Sequence, residues 1–120
     1  MPETVTYLDN IDVIKVESFG ETTIDDWENS MAQVTKIREE TKCSQVLVDA
    51  RQQNKSPDTM ELYEFGSSLP SEYQFAVIIS DNTLNDHYFL ESVARNRGKT
   101  VQLFKTFKEA LGWLKTSTYI

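Results

Sequence analysis

The spacing of apolar residues alternates along this chain between the period of a strand and that of a helix. Residues Thr4 to Leu8 and Ile11 to Phe19 are rich in strand-forming side chains, and the polar pair Asp9-Asn10 between them suits a tight turn. We therefore predict an antiparallel hairpin at the start of the chain, with its second strand ending at Gly20.

A long amphipathic helix is predicted to follow the hairpin. Thr23 is a suitable N-cap, and Asp26 three residues later completes a capping-box pattern. Apolar residues then recur at spacings of three and four, which places one stripe on the helix: Ile24, Trp27, Met31, Val34 and Ile37. Because acidic side chains stabilise a helix N-terminus, we interpret those in the first turn as helix chemistry and not as a metal site.

Three further strands alternate with three helices. The predicted strands are Gln45 to Ala50, Gln74 to Ser80 and Thr100 to Phe104. The second is continuously apolar, so we expect it to be central and buried on both faces. The third alternates apolar and polar residues, which is typical of an edge strand or of one face in solvent.

The predicted helices after the first are separated by polar turns. Residues 51–56 read as a polar loop, Ser56 as an N-cap and Pro57 as the first residue of a short helix that reaches Phe65 and stops at Gly66. A third helix is expected from about Leu84 to Arg97, with Gly98 just beyond its end, and a fourth helix from Phe107.

The order β-β-α-β-α-β-α-β-α predicts one α/β domain over residues 1–120. Strands that are separated by helices pair in parallel through right-handed crossovers. We expect an N-terminal hairpin and then alternating β-α units, giving a mostly parallel mixed sheet of about five strands packed with four helices. A length of 120 residues fits one domain and not two.

Charge and composition restrict the class of protein. The net charge of −7 argues against general binding of nucleic acid. The charge is uneven, since residues 95–120 carry six Lys or Arg side chains and a single acidic one. We interpret this as a mosaic surface; the alternative is a face that docks on an anionic membrane or an acidic partner. An acidic N-terminus, the lack of a long apolar run and a single cysteine predict a cytoplasmic protein.

No catalytic constellation is recognisable. His87 and Cys43 are the only residues of their types and lie far apart in sequence, so we expect a surface histidine, a structural cysteine, no metal and no cofactor. Polar residues after two predicted strands form a candidate anion or switch site: Asp49, Arg51, Ser56 and Asp81. Capping and loop hydrogen bonds are the alternative role for these side chains.

The segment from Ser56 to Tyr73 carries more apolar side chains than one face of a two-turn helix can bury. Ordinary packing onto the sheet is one explanation. The other is a lid that moves on Gly66 and Pro70 over an apolar pocket, with a candidate lining of Met60, Tyr63, Phe65, Leu69, Tyr88 and Phe89.

The chain resembles the SpoIIAA-like branch of the STAS domains, which are small bacterial α/β domains related in shape to anti-sigma-factor antagonists and CRAL-TRIO domains. The resemblance covers nearly the whole chain and is most specific at residues 93–98, the V-x-L-F strand and the EALGWL helix. Anti-sigma-factor antagonists carry a phosphorylated serine in an Asp-Ser-Ser-Gly-type motif, where this chain has only Ser56, followed by Pro57.

The resemblance implies a non-enzymatic binding module. We expect a small apolar or lipid-like ligand beneath the helix at 57–69, with peripheral membrane contact. The alternative is a regulatory module that binds a protein partner and is switched at Ser56, and a homodimer is a further partner hypothesis. An enzyme is the least favoured class, and a cleft with two groups of strongly shifted pKa would favour it.

Overall fold

A computed structural model of the chain describes residues 3–55, 57–80 and 84–116. The elements are β1 (Glu3–Leu8), β2 (Val13–Glu21), α1 (Ile24–Thr41), β3 (Gln45–Lys55), α2 (Thr59–Ser68), β4 (Gln74–Ile78), α3 (Leu84–Asn96), β5 (Thr100–Phe104) and α4 (Phe107–Thr116). This order confirms the predicted α/β class, including the hairpin and the number of helices.

The five strands form one mixed sheet in the order β1-β2-β3-β4-β5. The pair β1–β2 is antiparallel and the three other pairs are parallel. Because the parallel strands follow one another in one direction across the sheet, right-handed crossovers place α1, α2 and α3 on the same face. Helix α4 follows the last strand and covers the opposite face.

The alternation of side chains along the strands divides the core between the two faces. On β4, Phe75 and Val77 belong to the cluster beneath α1, α2 and α3, whereas Ala76 and Ile78 pack with Leu114 of α4. Both sets are buried, which confirms that this strand is covered on both sides. As predicted, β4 is an inner strand, with β3 and β5 as its neighbours, and the middle strand of the five is β3.

Strand β3 is longer than predicted. It continues through Arg51 to Lys55, where a polar loop was expected, because it remains paired with the end of β2 through Phe19↔Gln52 and Gly20↔Gln53. Strand β4 ends opposite Asp49, so this extension has a neighbour on one side only. One edge of this extension, residues 51–55, is exposed, which explains its polar composition. Within the extension, Gln53 is buried.

Helix α2 begins and ends later than predicted. Its N-cap is Asp58, whose carboxylate accepts from the N–H of Glu61 at 3.0 Å while the Glu61 side chain accepts from the N–H of Asp58 at 3.3 Å. The assignment of the cap to Ser56 was therefore wrong, and Ser56 itself lies outside the described residues. This reciprocal pair is a stronger start signal than Ser-Pro.

Gly66 lies inside α2 and does not end it. It is buried against α3, and a Cβ atom at this position would lie 3.0 Å from Cδ1 of Leu90 and 3.3 Å from Cγ1 of Val93. The glycine thus allows two helices to approach closely, and it is not the hinge that we expected.

The remaining boundaries lie within two residues of the predictions, but Gly20 does not end β2, which begins at Val13 and continues through Gly20 to Glu21, and β4 ends at Ile78 and not at Ser80. The capping box of Thr23 and Asp26 is present at the start of α1. Gly98 follows α3 with a φ of +80°, and β5 is an edge strand. The hydroxyl of Thr106 accepts from the N–H of Glu109 at 3.2 Å at the start of α4.

Candidate functional site

A cavity of about 80 Å³ lies between the sheet and the three helices on its first face. Most of its lining is apolar and comes from every element that surrounds it: Val16, Trp27, Met31, Val34, Val46, Val48, Phe65, Leu69, Phe75, Val77, Leu90 and Val101. The cavity therefore lies between the sheet and all three helices, and α2 contributes Phe65 to its lining, with Leu69 just beyond the end of the helix.

A buried carboxyl group forms one polar part of the cavity lining. Glu3 of β1 accepts hydrogen bonds from the hydroxyl of Ser18 on β2 and from that of Ser30 on α1, the latter at 2.6 Å. Burial raises the pKa of Glu3, and the two hydroxyl donors offset part of that rise. The side chains of this cluster connect β1 to β2 and to α1.

The second polar part of the cavity lining connects β3 to α3. Nε2 of His87 lies 2.8 Å from Oε1 of Gln53, and Nε2 of Gln53 donates to the hydroxyl of Thr22 at 3.1 Å. The indole N–H of Trp27 donates to the same hydroxyl at 3.1 Å. His87 is 4% exposed, and burial lowers its pKa to about 4.

The burial of His87 corrects the expectation of a surface histidine. Position 87 lies on the same face of α3 as Leu90 and Ala94, which are one and two turns further along. The unexpected extension of β3 supplies its partner Gln53. A polar residue on a buried helical stripe is the sequence signal that could have revealed this contact.

An aromatic group covers the histidine. The rings of Trp27 and His87 are stacked, with centroids 6.2 Å apart, and Trp27 meets Phe65 edge-on at 5.1 Å. Helices α1, α2 and α3 therefore meet at these three rings. This arrangement leaves Nδ1 of His87 buried and without a hydrogen-bond partner among the described residues.

A groove of about 320 Å³ adjoins the cavity between α1 and the end of α2. The cavity and the groove share three lining residues, Met31, Phe65 and Leu69. These three side chains, which we call the wall, lie at the boundary between the two spaces. The groove also has polar lining from Glu28, Thr35 and Ser68.

Only part of the predicted apolar lining meets the cavity. Phe65 and Leu69 do so, whereas Phe89 is half-buried beside Trp27 and Leu62 in a neighbouring cluster. The other three members of the prediction are exposed on the outer surface, at fractions of 66% for Met60, 41% for Tyr63 and 52% for Tyr88. Two of these residues, Met60 and Tyr63, belong to α2, so some of the apolar side chains of this helix face outward.

Tyr63 links α2 to the end of α3. Nη2 of Arg97 donates to its hydroxyl oxygen at 2.6 Å, and the guanidinium carbon lies 5.8 Å from the centre of the ring. With the close packing at Gly66, this contact fastens α2 to α3 at two points.

The two described residues of the candidate anion site, Asp49 and Arg51, form an ion pair with each other. Arg51 donates to both carboxylate oxygens of Asp49, at 2.9 and 2.8 Å, and this contact lowers the pKa of Asp49. Ser56 and Asp81 lie outside the described residues. The two described members therefore satisfy each other.

Cys43 is buried, and its Sγ lies 3.3 Å from the carbonyl oxygen of Asp12. Burial raises the pKa of this thiol, which fits the structural role that we expected. In the described part of the chain, no group of three or more His, Cys, Asp or Glu side chains could hold a metal ion. Among the helices described, none is long and apolar enough to cross a bilayer.

Of three comparisons with known proteins, one relates the chain to a solved structure. No model of a known family matches the sequence, and no curated protein matches it. Among solved structures, the chain is similar to an uncharacterised protein of the DUF3478 family with a SpoIIAA-like fold from Shewanella loihica PV-4. The TM-score is 0.65 at 14% identity, and the match covers 93% of each chain, so the fold is SpoIIAA-like.

Proposed function

We propose that this SpoIIAA-like domain is a non-enzymatic binding module that holds a small, mostly apolar molecule between the sheet and helices α1, α2 and α3. The observation that carries the proposal is the mostly apolar cavity lined by His87, a buried residue with one ring nitrogen that has no partner among the described residues. Protein interiors seldom leave both space and a polar atom unused, and a bound molecule would satisfy both.

The size of the cavity limits the ligand. About 80 Å³ is well below the ~300–1,000 Å³ of ordinary ligand pockets. Joined to the groove of about 320 Å³, it reaches the lower part of that range. A ligand larger than a few atoms would therefore extend through the wall, with its outer part in the groove.

Movement of side chains in the wall is a simpler route of access than movement of the whole helix. Helix α2 is fastened to α3 at Gly66 and Tyr63. Met31, in contrast, is half-buried and unbranched, and Leu69 lies just beyond the end of α2. We thus refine the lid to the residues Met31, Phe65 and Leu69.

A matched pair of variants tests the proposal. Val34→Leu adds volume inside the cavity, and Val13→Leu adds the same volume beneath α4; both valines are fully buried. We expect Val34→Leu to weaken binding of toluene about tenfold, because the same space cannot hold both groups. Val13→Leu should bind toluene as the wild type does. Binding is measured by ligand-observed NMR.

Native mass spectrometry of the purified protein supplies the second measurement. A non-covalent adduct that is lost on denaturation would support the proposal and would identify the natural ligand by mass. If toluene does not bind and no adduct is found, the cavity is not a binding site.

An enzymatic role is less well supported. The cavity does contain two groups with shifted pKa, Glu3 and His87, which is one condition for acid–base chemistry. Burial is the main cause of both shifts. In the described residues, the hydrogen bonds of His87 lead to the amide of Gln53 and not to a hydroxyl or thiol that it could activate.

A protein-interaction module is the second candidate. It is favoured by the exposed side chains of Met60, Tyr63 and Tyr88 on the neighbouring helices α2 and α3. The partner could be a different protein or a second copy of this chain. Sedimentation over a range of concentrations tests the second copy: a dimer that Met60→Lys disrupts would support self-association, and a monomer throughout would exclude it.

A further inference from the structure

The unpartnered nitrogen of His87 defines what kind of ligand the cavity would accept. His87 lines the cavity, is 4% exposed and contacts Gln53 through its other ring nitrogen. Buried polar atoms are nearly always hydrogen-bonded, so a nitrogen of a cavity-lining residue that lacks a partner in the described residues indicates a missing ligand group. The chemistry of that group depends on which ring nitrogen carries the proton.

The hydrogen bonds around Thr22 determine the position of the proton. The hydroxyl of Thr22 donates to the carbonyl oxygen of Lys55 at 3.3 Å, since a carbonyl can only accept. The same hydroxyl must therefore accept from Gln53, which orients the amide with its NH₂ group towards Thr22 and its oxygen towards His87. Nε2 of His87 accordingly carries the hydrogen and donates it to Gln53.

Nδ1 of a neutral histidine in this tautomer is a bare acceptor. Burial keeps the ring neutral at pH 7, because its pKa is lowered to about 4. The partner of Nδ1 must consequently be a donor, either a hydroxyl or an N–H group.

The surroundings restrict the rest of the molecule. The ring of Trp27 is stacked on His87, and most of the lining is apolar, so a molecule with an apolar body would contact more of the lining than a water at Nδ1 would. An anion would be desolvated beside the buried carboxyl group of Glu3. Both observations favour a neutral organic molecule.

We infer that the ligand of this cavity is a neutral molecule with an apolar body and one hydroxyl or N–H group, which donates to Nδ1 of His87. His87 is then the residue that determines specificity. This inference rests on the proposed binding function and adds the chemical class of the ligand.

Phenol and toluene form a suitable pair of probes, because they have nearly the same shape and only phenol has a donor. We expect wild-type protein to bind phenol roughly tenfold more tightly than toluene, the factor typical of one buried hydrogen bond. Anisole, which has the oxygen but no donor, should bind no better than toluene. Affinities are measured by ligand-observed NMR titration.

Variants assign the preference to His87. In His87→Phe the advantage of phenol over toluene should disappear, whereas Tyr88→Phe, at the exposed neighbouring position, should retain it. If His87→Phe does not fold, the ring nitrogens of the wild type provide the answer. His87 is the only histidine, so its two ¹⁵N resonances are unambiguous. Phenol should shift the Nδ1 resonance and toluene should not.

The outcomes separate this inference from the proposed function. If toluene and phenol bind equally and Nδ1 does not respond, the binding function stands and the donor requirement is wrong. If neither probe binds, the proposed function itself fails. If Nδ1 is protonated in the free protein, the tautomer set by Thr22 and Gln53 is wrong and the donor requirement is overturned with it.

Discussion

The burial of His87 makes the stability of the protein depend on pH. Its pKa is about 4 in the folded state and about 6.5 when unfolded. The unfolded chain therefore binds a proton more readily between these values, so the free energy of unfolding falls as the pH decreases from about 6.5 to 4. Since the side chain is almost fully buried, this effect amounts to at most about 3 kcal/mol.

A non-titrating variant isolates this effect. His87→Gln retains an amide N–H that can donate to Gln53 but cannot take up a proton in this range. Urea unfolding at pH 7 and pH 4.5 should show a smaller loss of stability for His87→Gln than for the wild type. Glu3 contributes to both proteins alike, and with the opposite sign, because its pKa is raised. Equal losses in the two proteins would contradict the buried, neutral histidine.

Single residues of the candidate site were the hardest feature to predict from the sequence. Ser18 continues the inward alternation of Ile14 and Val16, and Ser30 follows Trp27 on α1, so both occupy core positions. A polar residue at a core position indicates a buried contact, but it does not identify the partner. That partner, Glu3, is distant in sequence and is placed by the pairing of β1 with β2.

At the scale of elements, the contact between α2 and α3 is the most sensitive to substitution. A Cβ atom on Gly66 would meet Leu90 and Val93, and the carbonyl oxygen of Leu90 lies only 3.4 Å away. We expect Gly66→Ala to lower the free energy of unfolding by about 1 kcal/mol or more, since the steric cost of overpacking exceeds the helix propensity that alanine adds.

Gly112 of α4 provides the matched control. A Cβ atom there would have nothing within 4 Å, so Gly112→Ala should stabilise the protein by up to about 1 kcal/mol. Chemical denaturation of both variants measures the difference. A stabilising Gly66→Ala would show that the two helices do not pack closely at this point.

Elements with strong local signals were predicted well, and those that depend on distant contacts were not. The capping box of Thr23 and the apolar stripe after it are local, and α1 is confirmed. The extension of β3 to Lys55 depends on pairing with the end of β2, which the polar sequence of residues 51–55 does not indicate. Gly66 was misread because a helical glycine and a terminating glycine look alike until the neighbouring helix is known.

At the scale of the whole molecule, the two faces of the sheet are covered differently. All three crossover helices lie on one face with the cavity, and α4 alone covers the other. The basic C-terminal quarter of the chain includes β5, at the edge of the sheet opposite β1, and α4, on the face opposite α1. Its Lys115 reaches back to the carbonyl oxygen of Asp12, close to the end of α1. Several of its cations have contacts within the protein, among them Arg95 with Glu91, Arg97 with Tyr63, and Lys115 with Gln45.

Peripheral membrane contact is a proposal that this charge distribution makes testable. Electrostatic attraction acts over about 8 Å at physiological salt, so a local excess of cations can outweigh a net charge of −7. Each basic residue near an anionic bilayer contributes about 1 kcal/mol. We expect binding to phosphatidylserine vesicles, but not to neutral vesicles, and a loss of roughly tenfold or more in the double variant Lys99→Gln/Lys108→Gln.

The control for this prediction removes the same charge elsewhere. Lys36 and Lys42 are exposed on α1 and just beyond its end, so Lys36→Gln/Lys42→Gln has the same net charge as the test variant. Vesicle co-sedimentation should be unchanged in this control and should weaken for the wild type as salt is added. Equal losses in the two double variants would show that net charge, and not a docking face, governs the interaction. No binding by the wild type would remove the membrane from the function of this protein and leave the cavity and the exposed side chains of α2 and α3 as its proposed sites.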